Sequence, residues 1–162
     1  MNKADPLVIK LKIANTPVDI SIGQLGGLFT LDFIQEFSRL IGKQNLLKKS
    51  IIMLKCWLTF DAALLGSHTA NMTTYALYVL VTFLLNNFHD ELHTPLDVFE
   101  RFFEYFSEFD WGSRIITIYG PVTIGSSLSR RSLESLAVEE RQNDPVLRNH
   151  QLLVKPSQLK PR

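Results

Sequence analysis

Apolar and polar residues alternate along the first part of the chain. Residues 7–13 and residues 18–22 both show a period of two, which predicts two half-buried strands. The residues between them, 14–17, have the composition of a turn, so the two strands are expected to form a hairpin. Within the second strand Asp19 is expected on the face opposite to the aliphatic side chains.

The apolar residues that follow recur mostly at helical spacing. After Gly26 and Gly27, an apolar stripe predicts a helix over residues 28–41. Long apolar runs predict two further helices at about 45–65 and 73–85. The last of these is apolar nearly all round, which places it in the middle of a domain. Two adjacent glycines before a helix can bind phosphate, but more often they only allow a tight turn.

A well-marked helix start follows at Thr94, Pro95 and Asp97, which supply a capping residue, a proline at the first helical position and an acid in the first turn. Aromatic residues at helical spacing come next and indicate core packing: Phe99, Phe102, Phe103, Phe106 and Phe109. Beyond them, a short strand is expected at residues 115–119, and residues 120–122 are expected to end it.

Composition narrows the class of protein. With 162 residues and a hydrophobic content of 46%, the chain can form one domain with a real core. Its one cysteine, Cys56, excludes a disulfide framework and a thiolate zinc site. No signal-peptide pattern is found, and the most apolar segment, 76–85, is shorter than the about 20 residues that span a bilayer. The chain is therefore expected to be intracellular, in the nucleus or cytoplasm, without membrane association.

The net charge and the histidines give little indication of function. The net charge of +1 does not indicate a nucleic-acid binder. Residues 126–131 are rich in serine and arginine, and residues 156–162 contain two prolines, so both segments are expected to be flexible. The histidines have no ligand spacing and no catalytic partner, so no catalytic role is expected for them: His68, His89, His93 and His150.

Lys55 is the first candidate for a binding role. It lies within an almost unbroken apolar run, 51–58, and lysine is rarely buried without a partner. Its ammonium group must therefore either extend to solvent beside Trp57 or meet an anion. Lys48 lies seven residues earlier on nearly the same helix face, and Thr59 lies one turn later. Both alternatives stay open at this point.

The start of the helix predicted at 73–85 is the second candidate. A helix N-terminus offers free backbone N–H groups and the positive end of the dipole, which together favour phosphate. Thr74 is the expected capping residue, and Tyr75 follows it. The alternative is a purely structural pair, with a capping threonine and a core tyrosine.

The hairpin is the third candidate, because Asp19 stands beside basic residues. A carboxylate in such a setting can serve a metal and phosphate site. The alternative is an aspartate on the solvated face of a strand.

Two segments of the sequence resemble a known family. Residues 6–10 (PLVIK) and 17–27 (PVDISIGQLGG) resemble the end of the catalytic palm in poly(A)/poly(U) polymerases of the DNA polymerase β-like nucleotidyltransferase superfamily. The resemblance continues to about Val122, through the helical poly(A) polymerase and oligoadenylate synthetase substrate-binding domain, in the form found in plant- and protist-type members.

The resemblance implies a mainly α (α+β) fold. A helical substrate-binding domain is expected at residues 25–125. The last β-hairpin of a polymerase β-like palm is expected before it, at residues 1–24. Residues 126–162 are expected to form a flexible or divergent tail.

The resemblance also implies a nucleotide site. In the family a lysine at the position of Lys55 contacts the triphosphate of the incoming nucleotide. A Ser/Thr-Tyr pair at the positions of Thr74 and Tyr75 places its hydroxyl on phosphate and its tyrosine on the base. Lys48 is expected to belong to the same nucleotide-binding set. Many relatives have a second lysine where this chain has Thr59, a difference that weakens the phosphate site without abolishing it.

Catalysis in the family requires more than this chain contains. A strand of the type V-D-I-S-F-N carries the third catalytic aspartate, and Asp19 matches it as catalytic residue and ligand of Mg²⁺ or Mn²⁺. The other two acids come from an Asp-x-Asp strand, and this sequence contains no such element. One carboxylate cannot hold two metal ions. The metal is therefore expected only together with the missing palm, and the chain alone is expected to be inactive.

Two function hypotheses follow. In the first, the chain is a fragment of an RNA 3′-terminal nucleotidyltransferase that contributes binding of ATP or UTP and of the RNA 3′ end. In the second, it is a non-catalytic helical module that binds RNA or a protein partner. Whether it is an enzyme stays open at this stage.

Overall fold

The computed structural model describes residues 8–23, 25–62, 65, 72–124 and 130–155. Within these ranges the elements in chain order are β1 (Val8–Ile13), β2 (Thr16–Ser21), α1 (Leu25–Ile41), α2 (Leu46–Phe60), α3 (Thr74–Asn87), α4 (Pro95–Ser107), β3 (Arg114–Thr117), β4 (Gly120–Thr123) and α5 (Arg130–Asn143). This mainly helical fold, with a β-hairpin before the helical domain, confirms the predicted fold class. The chain divides into two compact units, residues 1–35 and 36–162.

In the first unit, β1 and β2 pair in an antiparallel hairpin. The two-residue turn between them consists of Ala14 and Asn15, whose φ angles of 46° and 64° are the positive values that a type I′ turn requires. The register pairs Asp19 with Lys10. Asp19 therefore lies on the polar face of the hairpin, as the alternation of the sequence predicts.

The helix α1 begins at Leu25, three residues earlier than predicted. Gly26 and Gly27 are part of this helix, and nothing would meet a Cβ atom added at either position. The two glycines therefore form neither a tight turn nor a phosphate-binding loop. The other end of α1 contributes Phe37 and Ile41 to the buried residues of the second unit.

A left-handed turn joins α1 to α2. Gly42 ends α1, as predicted, and it and residues 43–45 all have positive φ, from 41° to 67°. Non-glycine residues adopt this conformation only at a cost in free energy, so other contacts must hold the turn. The ammonium group of Lys43 supplies two of them, because it donates to the backbone carbonyls of His89 and Leu92.

The second unit is built around α3, which packs against α2, α4 and β3. Every residue from 80 to 88 is buried, as the all-round apolar pattern predicts. The aromatic stripe of α4 faces this core: the rings of Phe106 and Phe83 lie 6.0 Å apart between their centroids. Core packing is therefore confirmed for the stripe. The predicted start of α4 is also confirmed, because Thr94 and Asp97 form a complete capping box.

Residues 130–155 differ from the predicted flexible or divergent tail. The helix α5 packs on β4, where Ala137 joins the buried residues Tyr119 and Val122. Space is tight at this contact: a Cβ atom on Gly120 would lie 2.7 Å from the backbone oxygen of Ala137. Further along, Leu147 and Val154 are also buried. Residues 126–129 and 156–162 lie outside the described residues.

Two buried asparagines at the end of α3 hold this C-terminal part in place. The Asn86 side chain donates to the carbonyls of Ile118 (2.9 Å) and Val154 (3.1 Å) and accepts from the Val154 N–H at 2.6 Å. The Asn87 side chain accepts from the Nε of Arg141 in α5 at 3.2 Å. Because buried polar groups need such partners, the pair ties α5 and the segment after it to the end of α3.

Candidate functional site

The helix α2 has a buried side and an exposed side. Its buried residues are Leu46, Leu47, Ser50, Ile51, Leu54 and Leu58. On the other side Lys55 is exposed, and Lys48 and Thr59 are half-buried. These three residues are seven and four positions apart, so they form one strip along the helix; we call it the basic flank. Because Lys55 is exposed, its charge reaches water, and it forms no ion pair with another described residue.

The basic flank lies on the side of α2 that faces away from α4. The Trp57 ring contacts Phe99 and Phe103 of α4, with centroid distances of 5.8 and 4.7 Å. Trp57 follows Lys55 by two residues, which turns it by about 200° around the helix axis. The side chain of Lys55 therefore does not share the α4 side of the helix.

A short chain of contacts brings the start of α3 to the end of α2. The N–H of Leu65 donates to the carbonyl of Leu58 in the last turn of α2, at 3.1 Å. Leu65 also forms a β-bridge with Met72, the residue just before the α3 cap. The first turn of α3 thus lies at the end of α2 where Lys55 is found. Lys48 lies two turns further away, about 10 Å along the axis.

Thr73, and not Thr74, caps α3. Thr73 has the extended backbone of a capping residue (φ −81°, ψ 153°), and its hydroxyl accepts from the N–H of Ala76 at 3.1 Å. The predicted cap at Thr74 is therefore wrong by one residue. The sequence offered two adjacent threonines, and only the backbone angles distinguish them.

This shift leaves the first turn of α3 open to a ligand. The Thr74 hydroxyl forms no hydrogen bond with the part of the chain that the structure describes, and neither do the backbone N–H groups of Thr74 and Tyr75. Such groups at a helix start bind phosphate readily. Tyr75 is 60% exposed, so it is not a core residue and its ring is available for stacking.

The charge around this region is positive. Residues 42–60 contain four lysines and no acid, residues 74–87 contain no charged residue, and Asp61 follows as the C-cap of α2. Among the described residues neither Lys48 nor Lys55 takes part in an ion pair. A bound anion would therefore meet two lysine charges that form no ion pair with a described carboxylate.

Asp19 belongs to the first unit, whereas the other predicted site residues belong to the second. It is exposed and has Lys10 as its cross-strand neighbour. Across the described ranges, no group of three or more His, Cys, Asp or Glu side chains is placed to hold a metal ion. Since Mg²⁺ is usually held by one or two carboxylates together with waters and substrate phosphates, Asp19 can supply one such ligand.

A separate cavity of about 320 Å³ lies between α4 and the turn after α5. Its two arginines already have partners: Arg114 pairs with Asp144 at 3.1 Å, and Arg101 pairs with Glu104 at 3.0 Å. Burial, followed by the negative charge of Asp144, raises the pKa of Tyr105 well above its usual range. These contacts stabilise the fold. The cavity is therefore a weaker candidate for a ligand-binding site than the open first turn of α3.

The described residues do not test the predictions for His68 or for the ligands of the site residues, but they do bear on membrane spans. His68 lies outside the described residues. The nucleotide-binding roles of four residues stay predictions, because the positions of the side chains alone do not identify a ligand: Lys48, Lys55, Thr74 and Tyr75. On the question of membranes, no helix in the described ranges has the length and apolar character needed to cross a bilayer.

Comparisons with known proteins narrow the interpretation. A family model of the PAP/OAS1 substrate-binding domain matches residues 41–159, which is 119 of the 162 residues. Searches of curated proteins and of solved structures found no match. The matched range includes both elements of the candidate site and also residues 130–155, but it does not include Asp19.

Proposed function

Because this chain belongs to the PAP/OAS1 substrate-binding domain family, we propose that its second unit binds a nucleotide at the meeting point of α2 and α3. Family membership supports a role in a nucleotidyltransferase. The observation that carries the proposal is that Lys55 and the open first turn of α3, with Thr74 and Tyr75, lie at the same end of the helix pair.

In this proposal the phosphates are bound by Lys55 and by the start of α3. The ammonium group of Lys55 donates charge-assisted hydrogen bonds, which are about twice as strong as neutral ones. The N–H groups of Thr74 and Tyr75, together with the Thr74 hydroxyl, donate to the phosphate oxygens from the positive end of the α3 dipole. Thr73 supports them by capping the helix, which fixes the direction of its first turn.

The base of the nucleotide stacks on the exposed ring of Tyr75. Stacking on an aromatic side chain contributes about 1–3 kcal/mol per base and tolerates any base, because every base has a π face. The site therefore accepts both ATP and UTP.

The wider proposal is that this chain is a nucleotide-binding and RNA-binding fragment of an RNA 3′-terminal nucleotidyltransferase and is inactive by itself. In such an enzyme Asp19 would be one carboxylate ligand of Mg²⁺ or Mn²⁺. One fact is consistent with this: the side chain is exposed on the polar face of the hairpin.

Isothermal titration of the full chain with ATP and with UTP tests the site. Lys55→Ala is expected to raise Kd by about 10- to 100-fold, because a hydrogen bond to a charged group is worth about 1.5–3 kcal/mol. Tyr75→Ala is expected to raise Kd by about 5- to 100-fold, whereas Tyr75→Phe keeps the ring and should bind like the native chain. Lys49→Ala removes an equal charge from the same helix, outside the basic flank, and is the matched control.

Equal increases in the Kd for nucleotide in Lys55→Ala and Lys49→Ala would contradict this site. If the native chain bound neither nucleotide, the alternative of a helical protein-binding module would take its place.

A further inference from the structure

We propose that the exposed face of α4 and the cavity at its C-terminal end bind an extended, arginine-rich segment of a partner protein. One arginine side chain of that segment enters the cavity, and the others lie along the acids of α4. This surface contains none of the residues proposed to bind nucleotide, so the inference does not depend on the proposed function.

The exposed face of α4 is strongly acidic. Residues 90–110 contain seven acids and one arginine. Three of these acids, Glu100, Glu104 and Glu108, are exposed and four residues apart, so they form one line along the helix. Glu100 and Glu108 form no ion pair with another described residue. Such a surface attracts a basic partner and repels the phosphates of RNA.

The end of α4 is where a carboxylate is least favourable for the helix. No basic residue lies in the last turn of α4, and Glu108 is its C-cap. A carboxylate at this position meets the negative end of the helix dipole, which lowers stability. The described residues provide no ion pair that offsets this cost for Glu108, and a bound cation would provide one.

The walls of the cavity suit a long basic side chain. Its volume is about 320 Å³, and its lining includes the rings of Tyr105 and Phe109, whose centroids lie 6.0 Å apart. The guanidinium of Arg114 already lies over the Phe109 ring, at 5.8 Å from its centroid. An incoming guanidinium is therefore expected against Tyr105, with its aliphatic stem on the exposed side chain of Val146.

The charge of the cavity selects a cation. Its lining contains two arginines and four carboxylates, a net charge of −2. Each arginine already pairs with one of these carboxylates. Glu108 and Asp110 are the two carboxylates of the lining that have no ion pair among the described residues. A guanidinium pairs with carboxylates and stacks on aromatic rings, so arginine fits this lining better than lysine does.

The spacing of the acids favours an extended partner. Residues four positions apart in a helix lie about 6 Å apart along its axis, and alternate residues of an extended chain lie about 6.7 Å apart. Arginines at alternate positions of a peptide can therefore follow Glu100, Glu104 and Glu108 in turn.

Fluorescence anisotropy with a labelled peptide of four Arg-Ala repeats tests the inference on the full chain. Glu108→Gln is expected to raise the Kd for the peptide about tenfold, because it removes the acceptor of a charge-assisted hydrogen bond. Val146→Trp fills the mouth of the cavity without changing the charge, and it should raise Kd by a similar factor. Glu139→Gln removes an equal charge from an exposed position of α5. It is the matched control and should change Kd by less than about twofold.

Four results would overturn the inference. Failure of the native chain to bind the peptide is the first. Equal effects of Glu108→Gln and Glu139→Gln would indicate diffuse attraction, and an unchanged Kd in Val146→Trp would exclude the cavity. Binding of spermine as tightly as the peptide would indicate a site for small cations. If thermal unfolding shows a lower Tm for Val146→Trp, Val146→Lys replaces it, because it brings a repelling charge to the same exposed position.

Discussion

The two units of this chain reach their folds by different means. From residue 8 to residue 35 no described residue is buried, and many large apolar side chains are exposed there: Val8, Ile9, Leu11, Ile13, Ile20, Ile22, Leu25, Leu28, Phe29 and Leu31. Every buried apolar residue, from Phe37 to Val154, belongs to the second unit. An isolated two-stranded hairpin is marginally stable at best. The first unit therefore depends on local backbone preferences, and the second depends on its core.

Two phenylalanines give the strongest test of this contrast. Phe83 is fully buried and contacts the rings of Phe88 and Phe106, whereas Phe29 is 70% exposed. Phe83→Ala is expected to lower the free energy of unfolding by about 3–5 kcal/mol. Phe29→Ala should change it by less than about 0.5 kcal/mol. Urea unfolding of both variants measures the difference, and similar losses would refute the contrast.

Asparagine substitutions give the next largest effect. Asn86→Ala would leave the buried N–H of Val154 and the carbonyl of Ile118 without the partner that Asn86 provides. We expect a loss of about 3 kcal/mol in urea unfolding, because each unsatisfied buried group costs about 1–3 kcal/mol. Asn15→Ala acts on the hairpin turn and should leave the unfolding midpoint of the second unit unchanged. A harmless Asn86→Ala would show that the C-terminal segment is not held by this side chain.

Glycine substitutions should differ in sign between the units. Gly120→Ala places a Cβ atom 2.7 Å from the backbone oxygen of Ala137, and the resulting overpacking is expected to cost about 1–3 kcal/mol. Gly26→Ala lies in the first turn of α1 with open space around it, so it should stabilise the helix by less than the about 0.5–1 kcal/mol of a mid-helix position. Thermal unfolding compares Gly120→Ala with the native chain, and helix content from circular dichroism reports on Gly26→Ala. A stabilising Gly120→Ala would contradict the packing of α5 on β4.

The smallest effect concerns acid and the capping box of α4. Hydrogen bonds from the Thr94 hydroxyl and then from the backbone N–H groups of His93 and Thr94 lower the pKa of Asp97 from 3.8 to about 2. Because the folded pKa lies below the unfolded one, this contribution to stability is complete above pH of about 4 and is lost as the pH falls through about 2. The stability difference between the native chain and Asp97→Asn should shrink over that range. A difference that stays constant down to pH 2 would contradict the assignment.

Sequence periodicity was sufficient where local pattern determines the structure. The hairpin register, which places Asp19 on the polar face, follows from the period of two. The central position of α3 follows from its all-round apolar residues, and the start of α4 follows from Thr94 and Asp97. In the candidate site, Lys55 could be selected from the sequence because a lysine is unusual within an apolar run. Tyr75 was selected because it follows the expected helix cap and matches the tyrosine of the family's Ser/Thr-Tyr pair.

Features that depend on tertiary contacts were not predictable in the same way. Residues 130–155 have few apolar positions, and their order depends on Asn86, Asn87 and Arg141, which are far apart in sequence. Two amides at the end of an apolar helix were the one available indication of such a role. The cap at Thr73 depends on a backbone angle, and its neighbour Thr74 has the same side chain.

Titration of the ¹⁵N-labelled full chain with ATP, followed by amide NMR spectra, tests the nucleotide site most directly. A nucleotide at the meeting point of α2 and α3 predicts the largest amide shifts at residues 74–77 and 55–59, with smaller shifts elsewhere. Shifts concentrated on α4 or on the cavity beside Arg114 would contradict it. So would shifts confined to the hairpin.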